Sequence, residues 1–165
     1  RRQNFTEVNL GFGFDLAKQE ALRCLECAKP ACVDGCPVGV KVKDFVQLVL
    51  DGKYLEAAAK VREDNVLPAV TGRVCPQEDQ CEGACVMGKK FGAVGIGYLE
   101  RFVGDWARGH SAEQTLHVAP ATGKKVAVVG SGPGGPTAAG PVVGGRHGAG
   151  AGDREDRPTA GRRVG

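Results

Sequence analysis

The run CLECAKPACVDGC, from Cys24 to Cys36, restricts the fold more than any other stretch: it sets four cysteines in thirteen residues at the spacing C-x2-C-x4-C-x3-C, with Pro37 directly after. A second group, Cys75, Cys81 and Cys85, follows as C-P-x4-C-x3-C and completes the seven cysteines of the chain. So dense a ladder of thiols has few uses. An odd number of cysteines, with no apolar leader at the N-terminus, argues against a disulfide framework. In a reducing compartment, clustered thiols more often bind metal.

Two kinds of metal site compete for them. Structural zinc takes cysteines as two spaced pairs, whereas here four fall close together, with Pro30 and Pro37 beside Cys32 and Cys36. Bacterial two-cluster ferredoxins carry C-x2-C-x2-C-x3-C-P, in which three cysteines hold one iron–sulfur cluster and the fourth ligates a second. The middle gap here is longer by two residues. The favoured reading is that the two cysteine groups together hold two [4Fe–4S] clusters, with a zinc-stabilised interaction module as the rival.

Composition sets the outer limits. At 165 residues, 42% hydrophobic and 25% charged, the chain suits one ordinary domain, or a small domain and the start of another. A formal charge of +3 and the lack of a Lys/Arg run argue against nucleic acid. No stretch approaches the roughly 18 apolar residues of a membrane span, so a cytoplasmic location is the default expectation. The chain opens at Arg1 and its one methionine is Met87, which reads as a processed or incomplete product.

Along the chain, residues 1–14 read as an extended lead-in. Asp15 is a candidate N-cap for a short helix from Leu16 to about Leu25 that would deliver Cys24 and Cys27 from adjacent turns. After Pro30 a loop is expected to carry Cys32 and Cys36. Val42, Phe45, Val46, Val49 and Leu50 form one apolar stripe of a helix. Asp51-Gly52 breaks it, and Lys53 to Asp64 forms the next. Pro68 to Pro76 reads as a turn-rich entry to Cys75, Asp79 to Val86 as a short helix presenting Cys81 and Cys85. The clearest helix runs from Ala93 to Trp106, with Ile96, Leu99, Phe102, Val103 and Trp106 on one side.

That last helix matters because two cubane clusters want about eight ligands and the chain offers seven cysteines. Glu100 falls at the edge of the buried stripe, whereas Arg101 is expected to point away. A carboxylate at Glu100 is a candidate eighth ligand, although spacing alone favours a surface glutamate paired with a nearby lysine or arginine. His110 and His117, in the polar segment beyond, are weaker candidates.

Residues 109–123 read as a linker. Val126 to Val129 is then a short β-branched run leading into GSGPGG, a G-x-G-x-x-G at Gly130, Gly132 and Gly135. After a strand this is the first turn of a dinucleotide-binding βαβ unit, where glycines let a pyrophosphate approach the backbone. The helix and second strand that should follow are replaced by Pro136, Pro141 and a glycine-rich text; 12 of the 26 glycines lie in residues 130–165. Such a tail buries too little apolar surface to order itself, and a frameshift shortly after Gly135 would account for it. The expected fold is therefore mainly α: a helical two-[4Fe–4S] domain (1–108), a linker (109–123), the first strand and Gly-rich turn of an incomplete Rossmann-type FAD domain (124–135), and a disordered tail (136–165).

The segments NFTEVNLGF, EALRCLECAKPACVDGCPVGV, LPAVTGRVCPQEDQCEGACVMGKK, IGYLERFVGDWA and GKKVAVVGSGPGG closely resemble the small (β) subunit of NADPH-dependent glutamate synthase, over about residues 4–135. The module is also similar to the N-terminal iron–sulfur domain of dihydropyrimidine dehydrogenase and of the flavin-containing subunit of NADH-dependent ferredoxin:NADP oxidoreductase. The resemblance implies an α-helical domain with two [4Fe–4S] clusters ahead of FAD- and NADPH-binding domains. It assigns Cys24, Cys27, Cys32 and Cys85 to one cluster. It gives Cys36, Cys75 and Cys81 to the other, with Glu100 where relatives use a glutamate or glutamine, and starts the FAD pyrophosphate site at Gly130, Gly132 and Gly135. The implied partner is the large (α) subunit of glutamate synthase or another electron-accepting chain, with electrons passing singly from FAD. Hydride transfer is not expected from this chain itself. A flavin-subunit fragment of the ferredoxin:NADP oxidoreductase is the alternative within the family, and a remnant that folds only with its clusters is another reading.

Overall fold

In a computed structural model of the chain, the described residues are 3–111, 127–130, 132–135, 137 and 138. Six α-helices carry the fold: α1 (Phe14–Ala21), α2 (Ala31–Asp34), α3 (Val42–Leu50), α4 (Tyr54–Arg62), α5 (Pro68–Val74) and α6 (Ile96–Gly109), with short 3-10 turns at Gln77–Asp79 and Val86–Lys89. No described helix is long and apolar enough to cross a membrane.

The α3 stripe forms as its spacing predicts. Val42, Phe45, Val46 and Val49 are all buried, against Ala57, Ala58 and Val61 of α4 and Ile96, Leu99, Val103 and Ala107 of α6. Burying a side chain such as Phe45 or Leu99 contributes roughly 2 kcal/mol each. The Asp51-Gly52 break is a C-terminal cap: Gly52 takes φ +74, its N–H bonds the Val49 carbonyl at 3.1 Å, and the Lys53 N–H bonds the Leu48 carbonyl at 2.9 Å. This paired return satisfies carbonyls that the last turn would leave open. A second, aromatic layer joins α1, α4 and α6, with Phe14 edge-on to Trp106 (5.0 Å between centroids) and Tyr54 edge-on to Phe102 (5.2 Å).

The α5–α6 crossing rests on absent side chains. A Cβ on Gly104 would lie 2.5 Å from the Ala69 backbone nitrogen, and one on Gly72 would lie 2.6 Å from that of Arg101. Each helix thus offers a glycine to the other's backbone.

Several elements differ from their sequence reading. α1 begins with Gly13 rather than Asp15 as its cap and ends at Ala21, so Cys24 and Cys27 lie in irregular backbone beyond it instead of on a helix. Cys32 lies on α2 instead of in an open loop. Pro68 to Val74 is a helix, with Pro68 at its first position, where the missing N–H costs nothing. Cys81 and Cys85 are presented by consecutive turns following a 3-10 turn. Arg101 does not point away: it is 5% exposed, roofed by Gly11 and bonded to Glu7 at 3.1 Å. Ala127 to Gly130 carry no strand; a ladder needs a second strand, and the described residues offer none. Most of the linker, the rest of the β-branched run and nearly all of the tail lie outside the described residues.

Glu7 ties the N-terminal arm to the helices. Its carboxylate accepts from Arg73 Nε at 2.7 Å and Arg101 Nη2 at 3.1 Å, while Asp105 binds Arg73 at 2.7 Å. The hydrogen bond from Arg73, assisted by the nearby charges of Arg101 and Arg73, holds the Glu7 carboxyl below its usual value. A depressed carboxylate stabilises above its unfolded pKa and loses that contribution as pH falls through the folded one. Acidification through this range, or Glu7→Gln at neutral pH, is therefore expected to loosen the arm. The Asn9 side-chain amide, bonded to the Tyr98 hydroxyl at 2.8 Å, reports this by NMR, and resonances that stay fixed from neutral pH to full protonation would count against it.

Candidate metal centre

The cysteines sit on short, tightly turned pieces around the N-terminal half of α6. Cys24 closes the turn after α1, its N–H bonding the Ala21 carbonyl at 3.0 Å. Between Cys24 and Cys27, Glu26 adopts φ +47, the one positive φ among the described non-glycine residues. A left-handed glutamate costs about 1 kcal/mol, and here that strain turns the chain between two thiols. Cys75 caps α5 in extended geometry. Gly35 allows the loop before Cys36 to rest on the Cys81–Cys85 turn: a Cβ there would meet the Gln80 carbonyl and the Ala84 methyl, each at 2.8 Å.

Two residues beside the thiols hold these pieces in register, and sequence reasoning assigned neither a role. Arg23 donates to the carbonyls of Phe91 (2.9 Å), Gly92 (2.6 Å) and Ala93 (3.1 Å), tying the Cys24 turn to the segment after Cys85. Glu82 accepts the Gly97 N–H at 2.9 Å, so the residue after Cys81 caps α6, where the helix dipole favours a carboxylate. Burial raises the Glu82 carboxyl, against the pull of these backbone amides.

The thiols fall into two neighbourhoods. Cys24, Cys27, Cys32 and Cys85 line one pocket, whose walls include Val42, Val46 and Ile96. Burial pushes the Cys32 thiol up to about 11, and Cys85 and Cys24 beside it add like-charge repulsion. Cys24 is raised by burial first, with Cys27 and Cys85 beside it adding to the rise. The other neighbourhood is Cys36, Cys75, Cys81 and Glu100. Burial pushes Cys81 up to about 12, helped by Glu82, Cys36 and Glu100. Cys75 is raised by burial and then by Glu100 and Cys36. The grouping cuts across the sequence: Cys36 leaves the first ladder to join the second, and Cys85 does the reverse.

Glu100 is not on the surface, and among the described residues no cation pairs with it. It is 9% exposed and accepts hydrogen bonds from Asn65 Nδ2, at 2.7 Å, and from the Thr71 hydroxyl. Burial raises its carboxyl and these two bonds oppose the rise. His110 stacks on Trp106 at 3.8 Å between centroids, with Nδ1 2.9 Å from the Trp106 carbonyl, at the C-terminal end of α6. His117 lies outside the described residues. At the glycine motif, Gly130 has φ +109 and a Cβ on Gly135 would meet the Gly130 carbonyl at 2.3 Å. A helical turn opens there, with Thr137 N–H bonding the Pro133 carbonyl at 3.2 Å.

The donor set fits iron–sulfur chemistry. Buried thiols in an apolar wall are poor acids, and metal binding releases their protons while restoring charge balance. Among the described residues, no three His, Cys, Asp or Glu side chains converge on a point that holds a single ion. A helical domain whose turns gather such thiols in two neighbourhoods is, as a class, a helical iron–sulfur domain. Residues 1–112 match the family described as dihydropyrimidine dehydrogenase domain II, 4Fe–4S cluster, and the chain belongs to that family.

Among curated proteins, the chain is similar to the glutamate synthase (NADPH) small chain of Escherichia coli K12, at 41% identity over 135 residues, 82% of this chain and 29% of that one. The small chain from Azospirillum brasilense is 37% identical over 142 residues (84% and 29%). That of Mycobacterium tuberculosis H37Rv is 36% identical over 157 residues, 95% of this chain and 32% of the relative. This last match reaches into the glycine-rich stretch after Gly135. The chain spans less than a third of the length of these relatives.

Proposed function

We propose that the chain carries two [4Fe–4S] clusters and relays electrons one at a time within an oxidoreductase of the glutamate synthase small-chain type. The carrying observation is the interleaved grouping of Cys24, Cys27, Cys32 and Cys85 against Cys36, Cys75, Cys81 and Glu100. Those eight side chains would be the ligands. Bound there, each cluster supplies a site that accepts and returns single electrons at a potential set by its charge, hydrogen bonds and exposure. The protein's own part is to release the thiol protons on loading, exclude water with Val42, Val46 and Ile96, and hold the two turns together through Arg23 and Gly35.

Zinc is the weaker reading. Structural zinc takes cysteines as two spaced pairs, whereas here four fall within thirteen residues. A large subunit or another electron-accepting chain is the natural partner, as the relatives' designation as small chains suggests. Leu25 and Val86, exposed at the pocket of the first thiol group, offer it an apolar face. The turn at Gly130, Gly132 and Gly135 is the start of an FAD pyrophosphate site in this reading. Hydride transfer from NADPH is assigned to no residue of this chain.

Anaerobic reconstitution with iron and sulfide tests the proposal. About eight irons per chain are expected, with two separable paramagnetic signals on reduction. Uptake of zinc in preference to iron, or about four irons only, overturns the two-cluster reading.

A further inference from the structure

Two donors converge on one oxygen of Glu100. Asn65 Nδ2 at 2.7 Å and the Thr71 hydroxyl both reach Oε1, and no hydrogen bond among the described residues reaches Oε2. The roles of the donors are fixed by their other bonds. Asn65 Oδ1 accepts the Leu67 N–H at 3.1 Å, which sets the amide with its NH2 toward Glu100. That NH2 has two protons; one serves Glu100, the other the Thr71 oxygen at 2.7 Å. With its lone pair so engaged, the Thr71 hydroxyl directs its single proton outward. The Glu100 carboxylate competes for it with the Leu67 carbonyl, 2.9 Å away, and an ionised acceptor makes the stronger bond.

Resting on the proposed cluster assignment, we infer that Asn65 and Thr71 are positioning residues: they commit Oε1 of Glu100, leave Oε2 as the iron ligand of the second cluster, and so make the site selective for a carboxylate over a carboxamide. A glutamine at position 100 would satisfy the same two donors with its only oxygen. Its NH2 would then occupy the Oε2 position, and an amide nitrogen carrying two protons has no lone pair to give to iron. The selectivity follows from the donor count and needs no steric difference between the two side chains.

The test uses the full chain, reconstituted with iron and sulfide, and reads iron per chain together with the low-temperature paramagnetic spectrum after reduction. Glu100→Gln is expected to lose the signal of one cluster and about half the iron while keeping the other signal. Thr71→Val, which keeps the shape and removes the hydroxyl, is expected to speed loss of that same cluster to a chelator by about tenfold or more, the weight of a hydrogen bond to a charged group. Thr71→Ser should restore wild-type behaviour. Replacing the ligand by a thiolate, Glu100→Cys, is expected to make the cluster indifferent to Thr71→Val, because no Oε1 remains to be held; a purely structural role for Thr71 would persist in that background.

If wild type binds both clusters and Glu100→Gln matches it in iron and spectrum, the inference falls and the two-cluster reading stands. If wild type takes up only one cluster or none, both fall together. Should Thr71→Val lose both clusters through misfolding, Glu100→Gln decides by itself.

Discussion

Cys85→Ala is expected to abolish the same cluster as Cys24→Ala, and Cys36→Ala the same one as Cys75→Ala, each reducing iron from about eight to about four per chain. Sequence proximity alone predicts the reverse pairing, because Cys36 belongs to the first ladder and Cys85 to the second. The structure favours the crossed pairing: Cys85 shares a pocket with Cys24, Cys27 and Cys32, and Cys36 lies near enough to Cys75 and Cys81 to raise both thiols. Paramagnetic spectra of the four variants would show which signal each removes. Signals that vanish according to the ladders, Cys85 with Cys75 and Cys36 with Cys24, would overturn the grouping. Because ligand binding in small metal domains is folding free energy, each variant should also melt well below wild type.

The second large effect is expected at the α5–α6 crossing. Gly104→Ala places a methyl 2.5 Å from the Ala69 nitrogen, and Gly72→Ala one 2.6 Å from that of Arg101. Both obstacles are backbone and cannot rotate aside. Overpacking of this kind costs about 3 kcal/mol, and here the helices must separate to relieve it. Separation carries Cys75, at the end of α5, and Thr71 away from Glu100 on α6. The second cluster should therefore be lost before the first, whose pocket includes no residue of α5. Denaturant melts with parallel iron analysis measure both effects. Equal loss of the two clusters, or a melt unchanged from wild type, would show that the crossing does not control the Glu100 side. Gly109→Ala, with nothing within 4 Å of the added methyl, is the control.

Much of this was legible in the residues, for identifiable reasons. The α3 stripe and the Gly52 stop depend on neighbours within one or two turns, and the spacing of Val42, Phe45, Val46 and Val49 carries that information directly. The thiol ladder announced metal chemistry in the same local way. α5 was misread as turns because Thr71, Gly72 and two flanking prolines have weak helix propensity. Packing against α6 overrides that preference, and Pro68 at the first helical position was the signal available. Arg101 was misplaced because its burial depends on Glu7 and Gly11, some 90 residues earlier. Glu100 was ambiguous for a related reason, since Asn65 and Thr71, which distinguish it from a surface carboxylate, lie on other elements. The crossed grouping of Cys36 and Cys85 came from family resemblance, and no rule of spacing yields it.

That crossing has a bearing on how the protein is made. In the proposed assignment neither set of ligands lies within a contiguous stretch: one would stay open until the ribosome has passed Cys85, the other until it has passed Glu100. A nascent chain exposing only Cys24 to Cys36 would offer iron a different and incomplete set of partners; the first cluster could load once Cys85 is made, whereas the second would have to wait for Glu100 on α6.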